Sequence, residues 1–395
     1  MDSIHHQRDH LASIISAITS ATDPYRLLTE RLALESSKDL LTFDGSPVSV
    51  GPNQTIEVKE AGKICVVGGG KAAAGFAAGL EHLFGSDRLH KHKVHGLVSV
   101  PEGCGIQLDH IEIRETRARA HNLPTDAVVQ ATHEMLHQLS TLKQEDLAFV
   151  LITGGASALI ESPRTHISLP SLERLTKTLS HAGVDIQTLN TIRCMTSSVK
   201  AGGFAKACTA GRLIVLVLSD VLDNSLEVIG SGPCIPHIVD PLAIERILLD
   251  SNISQDDRAL LSESLYEYVR NHNVDSHHQT HSSDWITPKG CRVTHLTLGT
   301  NALAVEAASA ASSALGYEIF SATTNTLSQT ANTVGSRLAT SLRTMASPDT
   351  TKNCPKALLE GGEATVHVPL NHGVGGRNQH TVAVSYTHLT LPTKA

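Results

Sequence analysis

The chain has 395 residues, of which 41% are hydrophobic and 18% charged, and its formal net charge is −7. This length allows two or three domains with substantial cores, and the composition excludes a disordered or fibrous protein. The negative charge argues against a nucleic-acid-binding protein, which needs a basic surface to displace counterions. We therefore expect small molecules as partners, and either a monomer or a homodimer.

The sequence predicts a cytoplasmic protein with no membrane anchor. Its longest apolar stretch, "RLIVLVLSDV", meets Ser219 and Asp220 well before the length of a membrane span. The N-terminal segment has no basic region followed by an apolar one, so it does not read as a signal peptide. Seven cysteines without a C-x-x-C pair indicate reduced thiols rather than a disulfide framework or a zinc site.

Strand and helix patterns alternate after an amphipathic N-terminal helix, which is typical of an α/β domain with a mostly parallel sheet. We predict strands at 63–67, 94–100, 147–153 and 212–218, and helices at 71–84, 125–140, 170–182 and 240–272, the last one broken. Strands such as "LAFVLIT" are apolar on both faces, so helices must cover both sides of the sheet.

A second α/β domain is predicted in the C-terminal part. Residues 273–290 are polar and lack periodicity, so we interpret them as a linker or surface loop between a domain over 1–272 and one over 291–383. The second domain is predicted from the strands 292–298 and 317–322, the helices 301–316 and 328–345, and the hairpin-like "ALLEGGEATVHV".

The end of the chain differs in character from the rest. The stretch "GGRNQHTVAV" resembles the start of a helix and then runs into "SYTHLTLPTKA". Over "VSYTHLTLPT" the tail matches one reading frame of a widely used transposase sequencing adaptor. We therefore predict that residues 384–395 are an artefact and that the natural C-terminus is missing.

A glycine-rich corner, "KICVVGGGKAAAGF", follows the first strand of the predicted sheet. Gly68, Gly70 and Ala73 fit G-x-G-x-x-A, the spacing that presents backbone N–H groups to an anion. A dinucleotide site also needs an acidic residue at the end of the next strand, and none occurs before Glu102. What remains is Lys71, whose ammonium group could neutralise a phosphoryl group in transfer. A solvent-facing lysine on a tight turn explains the same residues equally well.

A second glycine corner occurs in "LITGGASALIESP", where Gly154, Gly155 and Ser157 follow another apolar strand. Two such corners in one parallel sheet lie at the same carboxyl edge, where open α/β sheets bind ligands. Each corner taken alone is explained by a plain strand-to-helix turn.

Polar residues in two further stretches are candidates for the same edge. Asn190, Arg193 and Lys200 are spaced to share a helix face, where they could hold a carboxylate or phosphate or simply face solvent. Asp220 follows a buried strand, and its carboxylate could bind magnesium, accept a hydroxyl proton or cap a turn.

The predicted second domain contributes candidates in "EGGEATVHVPLNHGVGGRNQH". Arg377 and Asn378 stand where a helix begins, so a guanidinium fork and N–H donors meet at one terminus. Glu363 could serve a metal ion or a hydroxyl group, although an exposed turn carboxylate is the commoner case.

Taken in order, these stretches resemble the type-II glycerate kinase family, whose second half is called the MOFRL domain. The matching stretches are "VVGGGKAAAGFAAGLE", "HNLPTDA", "LITGGASALI", "LNTIRCMTSSVKAGGFA", "LSDVLDNSLEVIGSGP" and "EGGEATVHV" leading to "GGRNQ", which together span about 20–380. The resemblance implies a Rossmann-like N-terminal domain, a second α/β domain and a ligand cleft between them. It also implies phosphorylation of D-glycerate at its 2-hydroxyl, with ATP and Mg²⁺.

The resemblance assigns catalytic roles to Lys71 and Arg377, to which we add Asp220. We predict that substrate and phosphate are bound by Gly69, Gly70, Gly154, Gly155, Ser157, Asn190, Arg193, Lys200 and Asn378. The candidates for the metal ligand are Asp220 and Glu363.

The chain departs from the family pattern at a few positions. Cys194 and Met195 replace a basic pair, and Leu222 replaces a glycine. The alternative functions are an NAD(P)-dependent hydroxypyruvate reductase, a non-catalytic binding protein and an inactive truncated kinase.

Overall fold

The computed structural model describes residues 2–35, 39–49, 55–119, 122–181, 184, 186–220, 225–236, 241–249, 253–271, 284–323, 329–346, 354–366 and 373–390. The chain divides into two compact units, a larger one of residues 24–298 and a smaller one that combines 1–23 with 299–395.

Within the described ranges the helices are α1 (Asp2–Ala21), α2 (Pro24–Arg31), α3 (Ala73–Lys91), α4 (Asp126–Ser140), α5 (Leu169–His181), α6 (Ile186–Thr196), α7 (Gly203–Ala207), α8 (Pro241–Leu248), α9 (Gln255–Asn271), α10 (Asn301–Ala314), α11 (Ala331–Met345) and α12 (Arg377–Thr390). The strands are β1 (Leu32–Glu35), β2 (Leu40–Phe43), β3 (Ser46–Pro47), β4 (Ile64–Gly69), β5 (His95–Pro101), β6 (Ile111–Arg117), β7 (Leu147–Ile152), β8 (Arg212–Leu218), β9 (Asp284–Ile286), β10 (Arg292–Gly299), β11 (Glu318–Thr323) and β12 (Lys356–Glu360). Among these helices, none is long and apolar enough to cross a lipid bilayer.

The larger unit is built on a seven-stranded sheet in the order β6-β5-β4-β7-β8-β10-β9. The strands β4 to β8 pair in parallel, and the β9–β10 edge is antiparallel. The prediction of an α/β fold with a mostly parallel sheet is therefore confirmed.

Helices cover both faces of this sheet. On one face Val150 of β7 shares a core with Met135 of α4 and Phe204 of α7. On the other face Phe149, the neighbour of Val150, meets Phe84 of α3 with ring centroids 5.8 Å apart. Successive strand residues point to opposite faces, so the continuous apolar runs follow directly from this double cover.

The border between the units lies at residue 298, whereas the sequence suggested a second domain beginning at 291. β10 lies next to β8 in the large sheet, and Val293 shares the core with Val215. Backbone pairing and burial thus join this strand to the larger unit. Most of the predicted linker, namely residues 273–283, lies outside the described residues.

In the smaller unit α1 packs on α10, α10 packs on the strands β11 and β12, and α11 packs on α12. We expected a hairpin after residue 356, but β12 pairs in parallel with β11, from Glu318 opposite Lys356 to Thr323 opposite Glu360. Because α11 lies between the two strands in sequence, they form a β-α-β unit. The second arm of the expected hairpin, 364–368, is described only as far as residue 366.

The segment that we predicted to be an artefact forms part of α12 up to residue 390. Ser385 is buried, and Ser336 of α11 lies 2.9 Å from His388 Nε2. These seven residues pack as helix in the structure, and their origin remains a prediction.

Candidate functional site

The first glycine corner joins β4 to its neighbours through its own backbone. The N–H of Gly70 donates to Ser99 O (3.1 Å), that of Lys71 to Gly154 O (2.9 Å) and that of Ala72 to Thr153 Oγ1 (3.1 Å). Gly70 has φ +141°, and a methyl group there would lie 2.0 Å from Thr153 Oγ1, so only glycine fits. Because these donors are used internally, the corner contributes the exposed side chain of Lys71.

The second corner supports two charged side chains directly. A methyl group on Gly155 would lie 3.6 Å from Cε of Lys71 and 3.7 Å from Nη2 of Arg117. A methyl group on Gly154 would lie 2.7 Å from Oδ2 of Asp220. The two glycines therefore let a lysine, an arginine and an aspartate approach one loop at the carboxyl edge of the sheet.

The amide groups of this second corner differ from those of the first. Within the described part of the chain, the N–H groups of Gly154 and Gly155 have no hydrogen-bond partner. Gly155 adopts the left-handed conformation with φ +87°, and the turn of 3-10 helix Ala156–Ala158 follows it. This corner, rather than the first, offers N–H donors to a ligand.

Arg117 was missed by the sequence analysis. It ends β6, is only 5% exposed, and its Nε and Nη1 atoms are buried without a hydrogen-bond partner among the described residues. Burial lowers the pKa of Arg117. Recognising β6 would have been the available signal, because its last residue lies at the carboxyl edge of the sheet.

A cavity of about 90 Å³ lies next to the second corner. Its lining includes Ser157, Arg193 and Lys200, three of the predicted binding residues. Arg193 donates to Asn190 Oδ1 (3.2 Å), so Asn190 is the fourth predicted binding residue at this cavity. The hydroxyl oxygens of Ser157 and Ser231 lie 3.1 Å apart. The predicted clustering of these four residues is thus present in the structure.

Lys200 and Arg193 differ in how their charges are balanced. Lys200 is buried in an ion pair with Glu161, another residue that the sequence analysis missed, and also donates to Ser157 O (3.1 Å). Arg193 forms no ion pair within the described ranges. Burial lowers the pKa of Arg193, whereas the nearby Glu161 carboxylate raises it. Arg193 is therefore the better placed of the two to bind an anion.

The connection between these cations differs from the single helix that we predicted. α6 ends at Thr196, and Lys200 lies in the turn before α7. The chain leaves the helix because Ser197 forms an antiparallel β-bridge with Pro163. Next to this bridge, Ser198 N donates to Ser162 O (2.8 Å). The departures from the family pattern, Cys194 and Met195, are buried core residues, and Leu222 lies outside the described residues.

Two non-glycine residues near the cavity have strained backbone conformations. Ser231 has φ +62° between Gly230 and Gly232, and Ala201 has φ +51°. The two segments are joined by hydrogen bonds from Ala201 N to Ser231 O (3.3 Å) and from Gly202 N to Gly232 O (2.8 Å). Left-handed conformations of this kind concentrate at functional sites.

The remaining candidates belong to the smaller unit. Arg377 begins α12 as predicted, and its Nε lies 3.1 Å from Oε1 of Glu363. Arg377, Asn378 and Glu363 are all exposed. The described residues include no group of three or more histidine, cysteine, aspartate or glutamate side chains that could hold a metal ion.

Comparison with known proteins identifies the family. A family model described as "Domain of unknown function (DUF4147)" matches residues 10–262. The chain belongs to this family. The match confirms the resemblance that was drawn from the motifs.

Named relatives in this family are glycerate kinases. A glycerate 2-kinase of Pyrococcus horikoshii is 29% identical over 95% of this chain and 77% of its own length. A D-glycerate 2-kinase of Thermotoga maritima is 30% identical over 80% of this chain and 69% of its own. A mouse glycerate kinase is 31% identical, and the chain spans about half the length of the mammalian relatives that it matches.

Solved structures agree with the fold. A protein of Pyrococcus horikoshii superimposes with a TM-score of 0.67 at 27% identity, over 96% of this chain and 79% of that one. A glycerate kinase of Thermotoga maritima gives a TM-score of 0.69 at 24% identity, over 98% and 80%. The second likeness bears on the fold alone.

Proposed function

We propose that this protein transfers the γ-phosphoryl group of ATP to the 2-hydroxyl of D-glycerate. The observation that carries the proposal is the meeting of Lys71 and Asp220 at the Gly154–Gly155 loop, beside the cavity that holds Ser157 and Arg193. The glycerate 2-kinase names of two relatives support phosphorylation of glycerate.

The cavity suits a three-carbon hydroxy acid. Its volume of about 90 Å³ is far below the several hundred Å³ of pockets for larger ligands. In our proposal the guanidinium of Arg193 binds the glycerate carboxylate, because planar forks pair with carboxylates through two hydrogen bonds. The hydroxyl of Ser157 then contacts a substrate hydroxyl.

Lys71 and Asp220 take the chemical roles in this proposal. The ammonium of Lys71 neutralises charge on the transferring phosphoryl group, which is the main catalytic task in such reactions. Asp220 accepts the proton of the attacking hydroxyl or holds Mg²⁺. A single carboxylate suits Mg²⁺, which commonly binds one or two carboxylates together with substrate phosphates. When bound, the ion would neutralise phosphate charge.

The hydroxypyruvate reductase alternative is less well supported. A dinucleotide loop needs N–H groups that face the pyrophosphate, whereas Gly70, Lys71 and Ala72 use theirs within the protein. The acidic residue expected for the ribose does not occur within β5 either.

The test is an ATP- and Mg²⁺-dependent glycerate phosphorylation assay on the chain and two lysine variants. We expect Lys71→Ala to lower kcat by about 10²–10³-fold, the loss typical of one transition-state charge contact. Lys143→Ala is the matched control, since Lys143 is 75% exposed and precedes β7, at the opposite end of that strand from the Gly154–Gly155 corner. Reduction of hydroxypyruvate by NAD(P)H without glycerate phosphorylation would contradict the proposal.

A further inference from the structure

Arg117 is a buried cation that the proposed reaction does not yet use. The residue is 5% exposed, and two of its three guanidinium nitrogens are buried without a hydrogen-bond partner in the described part of the chain. Burying an uncompensated charge opposes folding, so such groups are normally paired. A negatively charged partner outside the described chain, such as a ligand, would explain the buried guanidinium of Arg117.

The described surroundings of Arg117 supply no carboxylate to balance its charge. Among the described residues it forms no ion pair, and Cys104 is the one group whose charge would act to raise its pKa. The carboxylate of Asp220 lies against Gly154, whereas Arg117 lies against Gly155. The guanidinium therefore lacks a counter-charge of its own.

The backbone around Arg117 is firmly held. The preceding residue, Thr116, lies in a buried hydrogen bond with Ser99 (2.7 Å), and Glu102 N donates to Arg117 O (2.9 Å). The hydroxyl of Thr125 donates to Thr116 O (2.7 Å), which fixes the end of β6 to the start of α4. These contacts fix the backbone from which the Arg117 side chain extends, which lowers the entropic cost of binding.

Arg117 and Lys71 approach the same glycine. Both side chains lie within 3.7 Å of the position that a methyl group on Gly155 would occupy, and the N–H of Gly155 has no partner among the described residues. Two cations and free N–H donors at one loop favour a tetrahedral, multiply charged anion over a single carboxylate.

We propose that Arg117 and Lys71 together bind a phosphate group of a small-molecule ligand at the Gly154–Gly155 loop. The assignment of that phosphate to a nucleotide rests on the proposed kinase function. The glycerate carboxylate is left to Arg193 in the neighbouring cavity. Arg117 thus becomes a binding residue, and the bound phosphate supplies the counter-charge that the described residues do not provide.

The experiment measures phosphate binding to the full chain and its variants by titration calorimetry. Inorganic phosphate, ATP and 2-phosphoglycerate are the probes. We expect Arg117→Gln to weaken the binding of phosphate and ATP by about 10- to 100-fold, the value of one charge-assisted contact. Arg119→Gln is the matched control, because Arg119 is exposed and lies two residues further along. A loss for ATP but not for 2-phosphoglycerate identifies the donor as the source of the phosphate.

Thermal unfolding of Arg117→Met without ligand provides a second readout. We expect its Tm to equal or exceed that of the unchanged chain, because the variant removes an unpaired buried charge. Addition of phosphate should raise the Tm of the unchanged chain more than that of the variant, which binds phosphate more weakly. A structural role for Arg117 predicts the opposite, a lower Tm in the variant.

The outcomes separate this inference from the proposed function. Equal phosphate and ATP affinity in Arg117→Gln and the unchanged chain would overturn the inference, even if glycerate is phosphorylated. A loss of phosphate binding in the variant supports the phosphate site, even if neither protein phosphorylates glycerate and the proposed function is wrong.

Discussion

At the scale of single residues, buried charges distinguish structural from ligand-binding roles in the larger unit. Lys200 and Glu161 neutralise each other in the interior, whereas the described residues provide no counter-charge for Arg117. A buried charge that is paired within the protein needs no ligand to neutralise it, whereas an unpaired buried charge does. Lys200 therefore contributes to the shape of the cavity wall through its ion pair.

The first residue-scale prediction concerns that ion pair. Lys200→Met should lower the free energy of unfolding by about 3–5 kcal/mol, because it leaves the carboxylate of Glu161 buried without its partner. Urea unfolding at neutral pH measures the change. The double variant Lys200→Met with Glu161→Gln should recover part of the loss, and an additive double variant would contradict the pairing.

The second residue-scale prediction concerns acid sensitivity. Arg88, which hydrogen-bonds Asp39 at 2.6 Å, holds the pKa of Asp39 below its usual range. A carboxyl group whose pKa is lower in the folded than in the unfolded state stabilises the folded state at pH values above the unfolded pKa. This contribution is lost as the pH falls through the folded pKa. Asp39→Asn should thus lower the free energy of unfolding by at most ~1 kcal/mol at pH 7, because Arg88 is partly exposed. Below pH ~4 the difference between the variant and the unchanged chain should become progressively smaller.

Asparagine tests this charge well because it tolerates the positive φ of 51° at position 39. Asp87→Asn is the control, as Asp87 is exposed and acts on Arg88 only at a distance. A constant difference between Asp39→Asn and the unchanged chain from pH 2 to 7 would show that the ion pair contributes nothing.

Residue clusters were predictable only where local spacing governs them. Asn190 and Arg193 are three apart on α6, so their hydrogen bond follows from helix geometry. Glu161 meets Lys200 across 39 positions of sequence, and Arg117 meets Gly155 across 38, so no local pattern indicates either pair. Their association depends on the order of strands in the sheet.

At the scale of elements, continuous apolar runs identified the central strands, and mixed patterns did not. β4, β7 and β8 are almost entirely buried and were predicted. β6 reads "IEIRETR", whose alternating and charged residues suit a half-exposed edge strand and give a weaker signal. The glycine pair after β12 suggested a hairpin, but Gly361 N continues the parallel pairing by donating to Thr323 O (2.8 Å).

The element-scale prediction concerns the contact between α11 and α12. A methyl group on Gly335 would lie 2.7 Å from both Thr381 O and Val384 Cβ, so the two helices would have to separate. Gly335→Ala should therefore destabilise the smaller unit by about 1–3 kcal/mol, measured by urea unfolding. Gly373→Ala, with nothing within 4 Å of the new methyl group, should change little. Equal stability of both variants would contradict this helix packing.

At the scale of the whole molecule, the α/β class was predictable and the division into units was not. Hydrophobic periodicity predicts the class because it reports burial within each element. The smaller unit joins α1 to α10 across most of the chain, with His10 Nδ1 3.1 Å from Tyr317 Oη. Such pairing depends on packing between distant segments, which periodicity does not encode.

Identification of the product by ³¹P NMR most directly tests the claim that this chain phosphorylates D-glycerate at its 2-hydroxyl. The full chain is incubated with ATP, Mg²⁺ and D-glycerate, with Lys71→Ala and Lys143→Ala in parallel. We predict 2-phosphoglycerate from the unchanged chain and Lys143→Ala, and a greatly reduced amount from Lys71→Ala. A 3-phosphoglycerate product, or no phosphorylated product from the folded chain, would contradict the claim.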